Sequence, residues 1–236
     1  MEKELLPAIT KMLSGFSDPE RKKLSGWYYP TSMIVIGVSS GDLNRVISFV
    51  KKELKGLAPA EQVKFCVTLS NTGVFEHQQT SFGVLKRNFK IISMLSYDDI
   101  IAMSLYMDNW VSTDSFSIQV SGPAWRLGIL KDEHVCDWAM SPDRWWRRIA
   151  LASTVGLNLK SQGGSGDTRR TVMICRMLVG DRDDMVVKAM SWALRELSKS
   201  DRGAVREFLN TYENMLPGRV LREVNNKLNT GRKNIK

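Results

Sequence analysis

The sequence predicts an all-α protein, a superhelical solenoid of antiparallel helix pairs. Three observations carry that expectation. Almost every long segment repeats its apolar residues with helical spacing. Capping residues and acidic first turns mark one helix start after another. A loose pattern also returns at offsets of 35 and 40 residues, the pitch of a helical hairpin. No stretch alternates polar and apolar residues convincingly, and no Asn-Gly or Asp-Gly pair signals a β-hairpin.

Taken in chain order, Ser17-Asp18-Pro19-Glu20 is the first clear helix start, a capping residue followed by proline in the first turn. Asp42 opens a segment in which Leu43, Val46, Ile47 and Val50 share a face. Pro59-Ala60-Glu61 begins another helix, with Val63, Phe65, Cys66, Val67 and Leu69 as its apolar residues. Acidic first turns follow at Tyr97-Asp98-Asp99, Asp143, Asp167, Asp183-Asp184 and Asp201, each complementing a helix dipole. Pro217 starts the last helix.

Met33 to Val38 is the one strand-like run, and its surroundings favour a buried helix or a turn. Ser161-Gln162-Gly163-Gly164-Ser165-Gly166 reads as a flexible loop. The sequence gives no sign of a domain boundary, so residues 1–228 are expected to form a single domain, with 229–236 a frayed basic tail.

The repeating pattern consists of Asp108-Asn109-Trp110, Asp143-Arg144-Trp145 and Asp183-Asp184-Met185. Each places an acid two residues before a large apolar side chain. Arg147-Arg148-Ile149-Ala150 and Val187-Lys188-Ala189-Met190 continue the second and third copies. Such a pitch suits HEAT-like antiparallel helix pairs, which bury their apolar stripes against neighbouring pairs and curve to leave a concave surface.

Composition narrows the functional classes. The three cysteines, Cys66, Cys136 and Cys175, are odd in number and far apart, which argues against a disulfide framework and for a reducing, cytoplasmic setting. The beginning of the chain does not read as a signal peptide. The uncharged run from Leu24 to Gly41 contains Pro30, Gly26 and Gly37 and has too short an apolar core to cross a bilayer. Net charge is +9, unevenly shared. Residues 1–120 hold 13 cations and 12 acids, whereas residues 121–236 hold 21 and 13. A basic half points to a polyanion such as nucleic acid, or simply to a solvated surface.

Metal and cofactor chemistry find little support. His77 and His134 are the two histidines, and no Cys or His cluster has ligand spacing. Gly163-Gly164-Ser165-Gly166 lacks the lysine of a phosphate-binding loop. The tryptophans say more. Trp110 and Asp114 lie one helical turn apart, on one face. Trp145 and Trp146 precede Arg147-Arg148, and Trp192 stands between Lys188 and Arg195. Arginine clamps phosphate while an aromatic face packs against sugar or base. Core packing competes for any single tryptophan, but a core helix would not place aspartate one turn from it.

These segments resemble a known family. Asp143-Arg144-Trp145-Trp146-Arg147-Arg148-Ile149-Ala150-Leu151, Asp167-Thr168-Arg169-Arg170-Thr171 and the stretch from Val186 to Glu196 are similar to the AlkD-type DNA alkylation repair family. Asp108 to Phe116 resembles its Trp-x-x-x-Asp catalytic stretch, departing from it at Asn109, Val111 and Thr113. Phe75-Glu76 and the segment from Tyr28 to Val38 also fit.

The resemblance implies a HEAT-like solenoid that excises cationic alkylated purines from double-stranded DNA as a monomer, with no cofactor or metal. It implies Asp114 as catalytic carboxylate and Trp110 and Trp192 as aromatic walls around the damaged nucleotide. Arg148 would clamp phosphate, Tyr28 would contact the lesion strand, and Arg147 and Lys188 would add to the DNA surface. A non-catalytic DNA-structure-binding protein and a protein-interaction scaffold are the alternatives for the same fold.

Overall fold

The computed structural model describes residues 2–234, and all its named elements are helical. Among the described residues, β pairing is limited to one parallel bridge between Ile34 and Val74. Contacts gather into two compact units, Met1–Val120 and Ser121–Lys236.

The first unit comprises α1 (Glu2–Gly15), α2 (Pro19–Tyr28), α3 (Ser40–Leu54), α4 (Pro59–Ser70), α5 (Phe75–Leu85), α6 (Phe89–Ile92), α7 (Tyr97–Ala102) and α8 (Trp110–Phe116). α5 is its centre, packed against α1, α3, α4, α6 and α8. All of its residues are buried, polar ones included; several of the polar groups find partners, whereas the Gln78 amide and Gln79 Nε2 have none. Ser81 donates to the Cys66 carbonyl at 2.7 Å, and Thr80 donates to that of Glu76 at 2.7 Å. The His77 ring lies 3.1 Å from the Thr10 hydroxyl and 2.9 Å from that of Thr72, and burial pushes its pKa down. His77 is a satisfied core residue.

Local signals placed the helix starts well. Asp18 caps α2 through the backbone N–H groups of Glu20 and Arg21. Pro59 opens α4, and Asp99 completes a capping box with Ser96 at α7. Asp42 lies inside the first turn of α3, whose cap is Ser39.

The Met33 to Val38 run is neither buried helix nor simple turn. It is extended, bridged to Val74, with Ile34 64% exposed. Its backbone is satisfied by a residue far along the chain: the buried Glu76 carboxylate accepts from the N–H groups of Ile36, Gly37 and Val38 at 2.9, 2.7 and 3.3 Å. Gly37 has φ 91°, and a Cβ there would fall 2.7 Å from the Asp18 carbonyl oxygen, so glycine is required.

A π turn, Ser117–Ser121, leads to the second unit. This contains α9 (Gly122–Arg126), α10 (Asp132–Ala139), α11 (Arg144–Asn158), α12 (Thr168–Met177), α13 (Asp184–Leu197), α14 (Arg202–Thr211) and α15 (Gly218–Thr230). α11 packs on α13 and α13 on α15, while α10, α12 and α14 form a second layer against them. Asp143, Asp167, Asp183 and Asp201 are the N-caps of α11, α12, α13 and α14. The 40-residue repeat from Asp143 to Asp183 is thus the recurrence of a cap on neighbouring helices of one layer.

Two loop expectations are corrected. Ser161 to Gly166 is a packed connection, not a flexible one. The Arg126 guanidinium donates to the Gln162 carbonyl at 2.9 Å, and a Cβ on Gly164 would lie 2.4 Å from the Leu157 carbonyl oxygen. The glycine allows contact between backbones. The basic tail is not frayed over its described part either: α15 runs to Thr230, and Lys233 then reaches back to Glu223 at 3.4 Å. Residues 235–236 lie outside the described residues.

Candidate active site

The expected carboxylate and its flanking tryptophan sit on α8, a short helix whose start is held from several directions. Asn109 is buried and caps it, accepting from Ser112 N at 2.9 Å. Its amide also donates to Asp108 at 3.2 Å. Asp108 accepts from the Thr31 hydroxyl at 2.6 Å and from Ser32 N at 2.5 Å. Burial alone would raise the Asp108 carboxyl, but these bonds outweigh it and hold the group below the ordinary carboxylate range. The segment after α2 is thereby tied to the start of α8.

That tie brings two expected residues together. The Trp110 indole N–H donates to the Tyr28 carbonyl at 2.9 Å, and the two rings meet edge to face at 5.0 Å and 83°. Tyr28 approaches Tyr29 at 6.3 Å, and Tyr29 stacks on Phe75 at 4.6 Å. An aromatic series thus runs from the buried start of α5 to solvent, where Tyr28 is 68% exposed. Asp114, one turn beyond Trp110, is partly exposed, while its neighbours Thr113 and Phe116 are buried. The carboxylate stands at the boundary of the helix with solvent.

One aromatic residue escaped sequence reasoning. Trp27 is 84% exposed, and α2, which carries it, buries none of its residues. The signal available was a helix with no apolar periodicity, containing Arg21, Lys22 and Lys23 before Trp27-Tyr28. By contrast, Trp125 and Trp138 are core residues.

Trp192, Arg147, Arg148 and Lys188 lie in the second unit. Trp192 is partly buried in α13. The Arg147 guanidinium pairs with Asp181 at 2.7 Å and donates to the Ser141 and Pro142 carbonyls, closing the entry to α11. Arg148, expected to clamp a phosphate, is only 5% exposed and donates to the Met185 carbonyl at 2.5 Å, which joins α11 to the first turn of α13. Lys188 pairs with Asp184 at 2.6 Å. That bond, with the nearby charges of Arg219 and Arg148, lowers the Asp184 pKa against the opposing effect of burial. No three His, Cys, Asp or Glu side chains gather as a metal site among the described residues.

A family model described as DNA alkylation repair enzyme matches residues 9–228. The chain belongs to the DNA alkylation repair enzyme family. Among solved structures, a protein from Enterococcus faecalis described as a predicted DNA alkylation repair enzyme is similar, with a TM-score of 0.70 and 17% identity. The match covers 91% of this chain and 97% of that one. At that identity the likeness speaks for the fold, and the α-helical solenoid class expected from the sequence is the one found. A search of curated protein sequences finds no match. Membership of the DNA alkylation repair family gives the chain a role in DNA repair and DNA as its partner. No helix among its described residues is long and apolar enough to cross a membrane.

Proposed function

We propose that this DNA alkylation repair protein is a DNA glycosylase. It would hydrolyse the N-glycosidic bond of cationic alkylated purines, such as 3-methyladenine and 7-methylguanine, in duplex DNA. One observation carries the reading: a partly exposed carboxylate, Asp114, stands one helical turn from Trp110, whose ring is fixed against an exposed tyrosine.

Alkylation at N3 or N7 puts positive charge on the base, so breaking the bond releases a neutral leaving group. The base needs little assistance. The sugar becomes oxocarbenium-like, as in glycoside hydrolysis generally. An ionised Asp114 near C1′ stabilises that charge and orients the attacking water. The face of Trp110 attracts the same developing cation, an effect worth about 1–2 kcal/mol where water is excluded.

Trp192 is proposed as a further aromatic contact and Tyr28 as a contact to the lesion strand. Arg147 and Lys188, each paired with an aspartate, and the buried Arg148 are proposed to support the strand's binding surface, Arg148 chiefly by holding α11 against the start of α13. The base need not be flipped into a protein pocket. Selectivity then comes from the instability of the cationic nucleoside itself.

The reading is tested by incubating the protein with methylated duplex DNA and separating free bases by chromatography. Release of both 3-methyladenine and 7-methylguanine is expected. Duplex binding without any release overturns the glycosylase reading and leaves a DNA-structure-binding protein. Absence of duplex binding leaves a protein-interaction scaffold.

A further inference from the structure

Near-neutrality of the first 120 residues hides a strong segregation of charge. Residues 51–90 hold seven cations and three acids, whereas residues 91–120 hold four acids and no cation. Two of those three acids are committed elsewhere, Glu76 to the backbone of residues 36–38 and Glu61 to the Ala58 N–H.

Five of these seven cations line two adjoining grooves of the first unit. One, of about 400 Å³, runs between α3 and α5 and includes Asn44, Ser48, Lys51, Gln79, Lys86 and Gln119 in its lining. The next, of about 480 Å³, shares Lys51 and Lys86 and adds Lys55, Arg87 and Lys90. No acid lines either groove, and none of these five cations has an ion-pair partner among the described residues.

Two features favour an anionic occupant. Lys51 stands at the solvent-exposed rim of the groove beside Lys86, and its surroundings first, then that neighbouring charge, lower its pKa. Gln79 is only 9% exposed, yet its Nε2 has no hydrogen-bond partner, and the Oε1 of Gln119 has none either. An amide can turn over to present its NH2 group, so both side chains can donate into the groove. Arg87 adds a third sign. It is the only non-glycine described residue with positive φ, at 60°, a conformation that side chains rarely adopt and that persists where the surroundings demand it.

We infer that the groove between α3 and α5 is a binding site for the phosphodiester backbone of DNA, with Lys51, Lys86 and Gln79 as its donors. The inference rests on the reading of DNA as partner and concerns a surface apart from Asp114 and Trp110. The absence of aromatic side chains from both linings removes any stacking platform, so a backbone is recognised and not a base. Two adjoining grooves lined by five cations suit successive phosphates better than one free ion.

The experiment measures binding of the full chain to an undamaged duplex as a function of salt. In the Lys51→Gln/Lys86→Gln double variant the slope of log K against log salt should fall by about 1.8, close to 0.9 for each lost phosphate contact. Lys51→Arg/Lys86→Arg should keep the parent slope. Lys11→Gln/Lys64→Gln, which removes equal charge from exposed positions outside these grooves, should leave the slope within about 0.5 of the parent.

Calorimetric titration with inorganic phosphate alone should show no saturable binding. An unchanged slope in the glutamine pair, equal loss in both glutamine pairs, or saturable phosphate uptake abolished by Lys51→Gln/Lys86→Gln overturns the site. Methylated-base release is scored on the same preparations. Lost release with retained duplex binding counts against the glycosylase and not the groove, and an unchanged slope counts against the groove alone.

Discussion

Glu76 is a buried carboxylate that spends its oxygens on three backbone N–H groups of the segment leading into α3. Removing a charged acceptor leaves such donors without partners, which costs more than the bonds contributed. Glu76→Ala should lower stability by about 3 kcal/mol, read from the midpoint of denaturant unfolding. A loss below about 1 kcal/mol would show that water replaces the carboxylate easily. Arg148 makes the same point in reverse. With its guanidinium against the Met185 carbonyl, Arg148→Ala should lower the melting temperature by several degrees, since a buried donor to a neighbouring helix is removed. If Tm holds while the salt slope of DNA binding drops by about 0.9, its main partner is phosphate and not α13.

At the scale of elements, α10 and α12 are clasped through Asp132. This carboxylate accepts from the Trp125 indole at 2.9 Å, Arg169 at 2.7 Å and Arg170 at 2.8 Å. Burial opposes ionisation, but the three donors and the charge of Arg170 outweigh it and hold the pKa at about 2. Folding depresses this pKa, so the stabilisation is full above pH about 4 and fades as pH falls toward about 2. Asp132→Asn should lower stability at neutral pH and flatten the acid limb between those values. An unaltered limb in the variant would assign it to other carboxylates.

Helix starts were legible in the sequence because capping is local: Asp143 and Asp183 meet N–H groups within three residues. The Met33 to Val38 run was not, because its conformation is fixed by Glu76, some forty residues away. Glycines 163, 164 and 166 read as flexibility, when Gly164 is needed for close approach to the Leu157 carbonyl.

For the whole molecule, charge counted by halves pointed to a basic carboxy-terminal half and passed over the lysine grooves of the first unit. Counting averages over the acids of residues 91–120, which those grooves exclude. The place of Trp110 and Asp114 on one helix, a turn apart, could be read from spacing alone, whereas the exposure of Trp27 and the burial of Arg148 depend on how the helices pack. Family membership fixes the role in DNA repair, and the proposed chemistry turns on one carboxylate.

The most direct measurement of that chemistry is single-turnover release of 7-methylguanine, with enzyme in excess over methylated duplex, for the parent and Asp114→Asn. Loss of a preorganised charge facing the sugar should slow release by about 10²-fold to 10³-fold while duplex affinity stays within about twofold. Equal rates for the two proteins would contradict the assignment of Asp114.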